Sequence, residues 1–279
     1  MAETPLTRYR GAAPPIVPRP SGHPVALLIF ASLPMLVFLL VPLLALILRI
    51  APAQLLANLA NPEVAQAISL SMVTTAFTVV LTLLFGTPVA YLLARRRFRG
   101  RTALDTLIDL PMVLPPSVAG IALLVAFGRR GVLGHYFNVV GIDIAFTQTA
   151  VVLAQTFVAA PFYIKAATAG FAGVDPELEQ AAALDGASSF QAFRLITVPL
   201  AWAGLFGGAV MTWARALGEF GATIIFAGNF VGRTQTMPLA IYQGFEQELS
   251  VALTLSVILL VVSFVVLFIV RGVLGGRAG

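Results

Sequence analysis

A chain of 279 residues with 59% hydrophobic and only 10% charged side chains is too poor in polar surface for a water-soluble globule, which carries about 25% charged residues. It contains no cysteine and only two histidines, His23 and His135, which excludes a disulfide scaffold, a thiol nucleophile and the usual zinc-ligand pairings. The net charge of +5 rests on 17 basic residues, of which only Lys165 is a lysine; in an integral membrane protein this excess reads as topology and not as nucleic-acid binding.

The elements follow in chain order. Residues 1–24 are polar and proline-rich, with Arg8, Arg10 and Arg19, a composition that predicts a disordered tail. The apolar run 25–48 is longer than a signal-peptide core and long enough to cross a bilayer, so it is expected to be a retained first span. Asn61-Pro62-Glu63 combines a side-chain cap, a proline where no N–H is needed and an acid at the positive end of the helix dipole. It opens a second span running to about Ala94, with Ser71, Thr74, Thr75, Thr78 and Thr82 as short polar groups along it. The third span is expected over Leu107–Phe127, the fourth over Thr149–Gly170, the fifth over Pro199–Leu217 and the sixth over Leu249–Val270. Between the last two, Gly221–Ile241 is apolar but broken by Gly228, Asn229, Gly232, Arg233 and Pro238, the pattern of a re-entrant or protein-buried segment. The fold class is therefore all-α and integral to the membrane, with six transmembrane helices.

The distribution of arginine and lysine orients these spans. With the N-terminus cytoplasmic, the inside segments hold eleven basic residues, led by Arg95, Arg96, Arg97, Arg99 and Arg101, against four outside, Arg49, Arg129, Arg130 and Arg233. Both termini are expected in the cytoplasm. Seven prolines fall inside spans, and Leu114-Pro115-Pro116-Ser117 stands out, because two adjacent prolines must unwind the third span near mid-membrane. Gly204, Gly207 and Gly208 permit a close helix approach in the fifth.

The segment 174–199 carries two helix starts and a stop. Asp175 caps a helix with Pro176 first and Glu177 and Glu179 at its positive end; Gly186 ends it; Ser188 with Gln191 forms a capping box for a second short helix; Pro199 follows. Ala181-Ala182-Ala183 offers a narrow surface that another protein can approach closely.

Within this segment Glu179-x-Ala181-Ala182-x-x-x-Gly186, then Ile196-x-x-Pro199, resembles the "EAA" loop of ABC-importer permeases, although Gln180 stands where the commonest form of that loop has its glutamate. Ala214-Arg215-Ala216-Leu217-Gly218-Glu219-Phe220-Gly221-Ala222-Thr223, with Gly232-Arg233-Thr234-Gln235-Thr236-Met237-Pro238, is similar to the molybdate and tungstate importer permeases and to their sulfate-carrying relatives. The resemblance implies a type I importer permease core over 62–271 in a plasma (inner) membrane. It implies a homodimer with a second permease copy, an ATP-binding-cassette ATPase dimer, and an extracytoplasmic substrate-binding protein. The ATPase contact would come from Glu179, Ala181, Ala182, Asp185, Gly186, Ala187 and Phe190. For an oxyanion path the candidates are Ser117, Thr212, the backbone freed at Pro115 and Pro116, and Arg215, which could instead pair with Glu219 one turn on.

The chain lacks a phosphate-binding G-x-x-x-x-G-K-[ST], so nucleotide hydrolysis must come from a separate subunit, and it offers no catalytic constellation, metal cluster or cofactor site. Asp105 and Asp109 share a helix face and are expected to pair with backbone or with Arg101. The alternatives are a sulfate or thiosulfate permease of the same fold and an ion-coupled secondary transporter, which would need inverted repeats and a relay of intramembrane charges.

Overall fold

The computed structural model describes residues 22–275, all of whose regular elements are helical. The tail expected over 1–24 lies outside the described residues except for its last three, which already belong to helix α1 (Gly22–Arg49). That helix forms a unit by itself, and Arg49 onward forms a second. α1 is apolar throughout and carries Pro34 and Pro42 within it.

In the second unit, α2 (Pro52–Leu59) leads into α3 (Pro62–Arg95), where the Asn61 side chain accepts a hydrogen bond of 2.9 Å from Glu63 N, as the cap pattern predicts. The third span is not one helix. It splits into α4 (Arg101–Val113) and α5 (Pro116–Phe127), which differ in direction by 115°. The physical cause is Pro115-Pro116: neither residue can donate, and Leu114 before them is held in extended backbone. After the short α6 (Gly134–Val139), α7 (Gln148–Ala172) crosses without a break. Then come α8 (Pro176–Leu184), α9 (Ser189–Ala192), a π-helical turn Phe193–Thr197, α10 (Val198–Leu200) and α11 (Trp202–Leu217). The fifth span thus begins beyond Pro199, after a 71° bend, because the proline interrupts the hydrogen-bond ladder. The segment expected to be re-entrant holds α12 (Gly221–Phe226), an irregular turn, and α13 (Met237–Gln247), and α14 (Leu249–Gly275) is the last described element. Among the described residues four helices are continuous, long and apolar enough to span a membrane, and the number rises to six if each bent pair is one span.

In this unit α3, α7 and α11 form the centre. One apolar cluster joins α5, α7 and α12 through Ala119, Leu123, Val151, Val158 and Phe226; a second joins α3, α7 and α11 through Ala90, Tyr163, Phe171 and Leu205; a third joins α3, α11, α13 and α14. Small residues set the α7–α11 distance. A Cβ on Gly204 would stand 2.8 Å from the Ala166 carbonyl oxygen and 2.8 Å from Gly170 Cα, so backbone meets backbone there. The hydroxyls of Ser71, Thr74, Thr75, Thr78 and Thr82 on α3 are buried: Thr78 donates to Gln155 Oε1 at 3.1 Å, and Ser71 Oγ accepts from Met237 N at 2.7 Å, serving an N–H in the first turn of α13.

Gly204→Leu should lower the stability of the detergent-purified protein by about 1–3 kcal/mol, the range for forced overpacking, because no side chain can yield. Gly173→Ala, whose new methyl would meet only carbonyl oxygens at 3.6 Å, should leave the thermal unfolding midpoint nearly unchanged.

Candidate functional site

The segment between α7 and α11 is built by local capping. Asp175 accepts from Glu177 N at 2.9 Å, and Pro176 takes the first position of α8. The helix ends with Gly186 in the left-handed region at φ 88°; Gly186 N donates to Ala183 O at 3.1 Å and Ala187 N to Ala182 O at 2.9 Å, which closes the last turn. Ser188 and Gln191 exchange hydrogen bonds of 3.3 and 2.7 Å, a complete capping box for α9.

One carboxylate fastens this segment to the spans. Glu179 Oε1 accepts from Arg95 Nη2 at 2.9 Å and from Thr197 Oγ1 at 2.6 Å, while Arg95 Nη1 donates to the Val174 carbonyl at 2.9 Å. The end of α3, the exit of α7 and the segment Phe193–Leu200 that leads into α11 (the α11 stalk) therefore meet at a single ion pair whose side chains are 11% and 22% exposed. Beneath it Tyr91, Phe171 and Phe193 stack edge-on or tilted, with ring centres 5.1 to 6.0 Å apart. Glu179 consequently turns inward as an anchor. Ala181, Asp185, Gly186 and Phe190 face outward, and Ala182 and Ala187 are half-buried. The outward face also carries Leu184, 90% exposed, and Leu195, neither of which the motif singles out; an unpartnered leucine just ahead of a helix stop was the available signal.

The two breaks in the spans meet each other. A Cβ on Gly221 would lie 2.6 Å from Pro116 Cβ, and one on Gly120 would lie 2.9 Å from Ala222 O, so the first turns of α5 and α12 are in direct contact. Glu219, 1% exposed, serves both neighbours: Oε2 pairs with Arg215 at 2.8 Å and Oε1 accepts from Ala222 N at 2.8 Å. Of the two readings of Arg215, the structure therefore contains the pairing with Glu219. Pro115, Pro116 and Ser117 are exposed. Thr212 is fully buried and donates its proton to the Ala159 carbonyl at 3.2 Å, so that proton is committed to α7.

The acidic pair on α4 does not go to Arg101 or to backbone. Lys165 Nζ lies 2.7 Å from Asp105 Oδ1 and 2.9 Å from Asp109 Oδ2, clamping α4 to α7. The sequence hides this contact because the partners lie on different spans and Lys165 carries no local pattern of its own.

Residues 86–276 match the family described as binding-protein-dependent transport system inner membrane components. The chain is 42% identical over 222 residues to the molybdenum transport system permease protein ModB of Mycobacterium bovis, covering 80% of this chain and 84% of that protein. It is 40% identical over 205 residues to the molybdate/tungstate transport system permease protein WtpB of Thermococcus kodakarensis, covering 72% and 78%. Among solved structures, a bacterial alginate ABC transporter in complex with its alginate pentasaccharide-bound periplasmic protein contains a chain with the same fold, at a TM-score of 0.66 and 15% identity over 90% of this chain and 93% of that one.

Glu179→Ala should lower the unfolding midpoint and expose 174–199 to limited proteolysis, since it strands the Arg95 guanidinium. A fully buried pair broken this way loses about 3–5 kcal/mol, and solvent access should keep this loss below that. Adding Arg95→Met should recover part of it; a double variant no more stable than the single one would contradict the anchor.

Proposed function

The chain belongs to the binding-protein-dependent transport system inner membrane components, and we propose that it is the permease subunit of an ATP-binding-cassette importer carrying molybdate or tungstate. The observation that carries this reading is the segment 174–199, two capped helices whose outward face ends in Leu184 and Phe190 while Glu179 ties it to α3 and to the α11 stalk. The names borne by relatives at 40–42% identity support the cargo. The alginate transporter with its periplasmic protein supports an external binding protein as partner.

In the proposed assembly two copies form the path, the termini and 174–199 face the cytoplasm, and ATP is hydrolysed by a separate ATPase dimer. The eleven-to-four bias of basic residues supports that orientation. Ala181, Ala182, Asp185, Gly186, Ala187 and Phe190 form the contact, and Glu179 transmits it. Movement of the ATPase then reaches α3 through Arg95, α7 through Val174 and α11 through Thr197, and rocks the two halves between inward- and outward-open states. The oxyanion passes near Pro115, Pro116 and Ser117, where the bend leaves backbone and a hydroxyl uncovered. A path that must release its ion binds it weakly, so affinity resides in the external protein. The Arg215–Glu219 pair keeps the wall of that path close to neutral.

Uptake of labelled molybdate by cells expressing the chain with its ATPase and binding protein tests the cargo. Tungstate should compete at equal concentration and sulfate should not. Equal competition by sulfate would favour a sulfate permease, and uptake that needs no ATPase would favour a secondary transporter. Gly186→Leu, which forces a side chain into a left-handed position, should leave insertion intact and abolish ATPase docking and transport together; normal transport would remove this loop from the contact. Arg215→Gln alone should transport several-fold more slowly, because Glu219 is left buried and unpaired. Arg215→Gln with Glu219→Gln should approach wild type, and a double variant as slow as the single one would place Arg215 on the anion instead.

A further inference from the structure

The turn between α3 and α4 holds five arginines that divide sharply by environment. Arg95 is anchored to Glu179 and Val174. Arg96, Arg97, Arg99 and Arg101 are exposed, and among the described residues none of the four makes an ion pair. Four exposed guanidiniums within six residues concentrate positive charge that no described carboxylate neutralises. Arg101 also opposes its own helix: it occupies the first position of α4, whose first turn contains no acid.

Their height relative to the membrane decides which anion. α3 is long and apolar enough to cross a bilayer and ends at Arg95, so the four side chains follow directly on the end of a spanning helix. The turn is tight. Arg101 N donates to Phe98 O at 3.3 Å, and Gly100, at φ 89°, sends the chain straight into α4. The loop therefore holds its charges close to the end of α3. Phe98, 38% exposed, stands among the arginines as an apolar side chain at the interface. A guanidinium matches a phosphate in a two-pronged geometry, and basic clusters beside a span bind anionic lipid with about 1 kcal/mol per residue, or roughly fivefold in affinity for each arginine.

We propose that Arg96, Arg97, Arg99 and Arg101 form a binding surface for the phosphates of anionic phospholipids. The bound lipid steadies the turn, and with it the Arg95–Glu179 anchor one residue away, so anionic lipid strengthens transmission through 174–199. The last step rests on the proposed ATPase contact; the lipid binding does not.

The two are separable by experiment. The full-length chain is purified from nanodiscs of equal parts phosphatidylglycerol and phosphatidylcholine, and retained lipid is counted by native mass spectrometry, with no transport assay involved. Wild type should retain phosphatidylglycerol several-fold over phosphatidylcholine, and less at high salt, as screening requires. The variant with all four arginines replaced by glutamine should lose that preference, and the variant with all four replaced by lysine should keep most of it. Equal retention by the glutamine variant would overturn the surface. So would inorganic phosphate displacing the lipid far more effectively than chloride at equal ionic strength, which would mark a free-phosphate site, or the glutamine variant failing to hold the ATPase in pure phosphatidylcholine, which would mark the arginines as a protein contact. ATPase stimulation by phosphatidylglycerol in the assembled transporter, present in wild type and absent in the glutamine variant, tests the transmission step; lipid binding without stimulation would overturn that step alone.

Discussion

Inside a bilayer no water is available to a broken helix, so every interruption of a span must be served by the protein itself. Three of the breaks in this chain meet that constraint through a specific neighbour. The break at Gly218–Phe220 is closed by Glu219, whose carboxylate takes the Ala222 N–H on one side and the Arg215 guanidinium on the other. The start of α13 is served by Ser71 from α3, far away in sequence. At Pro115-Pro116 the missing N–H groups need no acceptor, the Pro115 carbonyl accepts from Val118 N and Ala119 N, and the break is packed against the next one, with Gly221 abutting Pro116. Irregular backbone survives where two irregularities meet, and there the proposed path has uncovered polar groups to use.

The same economy of contacts governs the segment 174–199. Its two helices bury few residues of their own, with Ala192 the one buried side chain in either, so their position depends on the anchor and not on a core. The Glu179 carboxylate holds a cation from the end of α3 and a hydroxyl from the α11 stalk, and the ring cluster of Tyr91, Phe171 and Phe193 backs it. A rigid foot on three spans, with apolar side chains outward, suits a part that receives force from a partner. Lys165 with Asp105 and Asp109 performs the corresponding task for α4, keeping the bent half-span on α7.

What could be read in the sequence was whatever chemistry acts over three or four residues. Asn61, Asp175 and the Ser188–Gln191 box cap the helices their spacing implies, and Gly186 takes the left-handed conformation a helix stop asks for. The break at Pro115-Pro116 was legible as a break, but its 115° turn was not, because a proline pair interrupts a helix without fixing the direction in which it resumes. Nothing local assigns Glu179 to Arg95, or Lys165 to two aspartates, since those pairs join spans distant in the chain. The family motif marks this segment and leaves the inward turn of its glutamate unstated.

The central claim is that the outward face of α8 and α9 meets an ATPase in the cytoplasm, and the absence of native cysteine makes it directly measurable. Leu184→Cys places one thiol on the most exposed side chain of that face, 90% accessible. In the assembled transporter a short thiol cross-linker should join this position to an ATPase subunit carrying engineered surface cysteines, and in intact cells an impermeant thiol reagent should leave it unlabelled from outside. Labelling from outside, with no cross-link to the ATPase, would contradict the account.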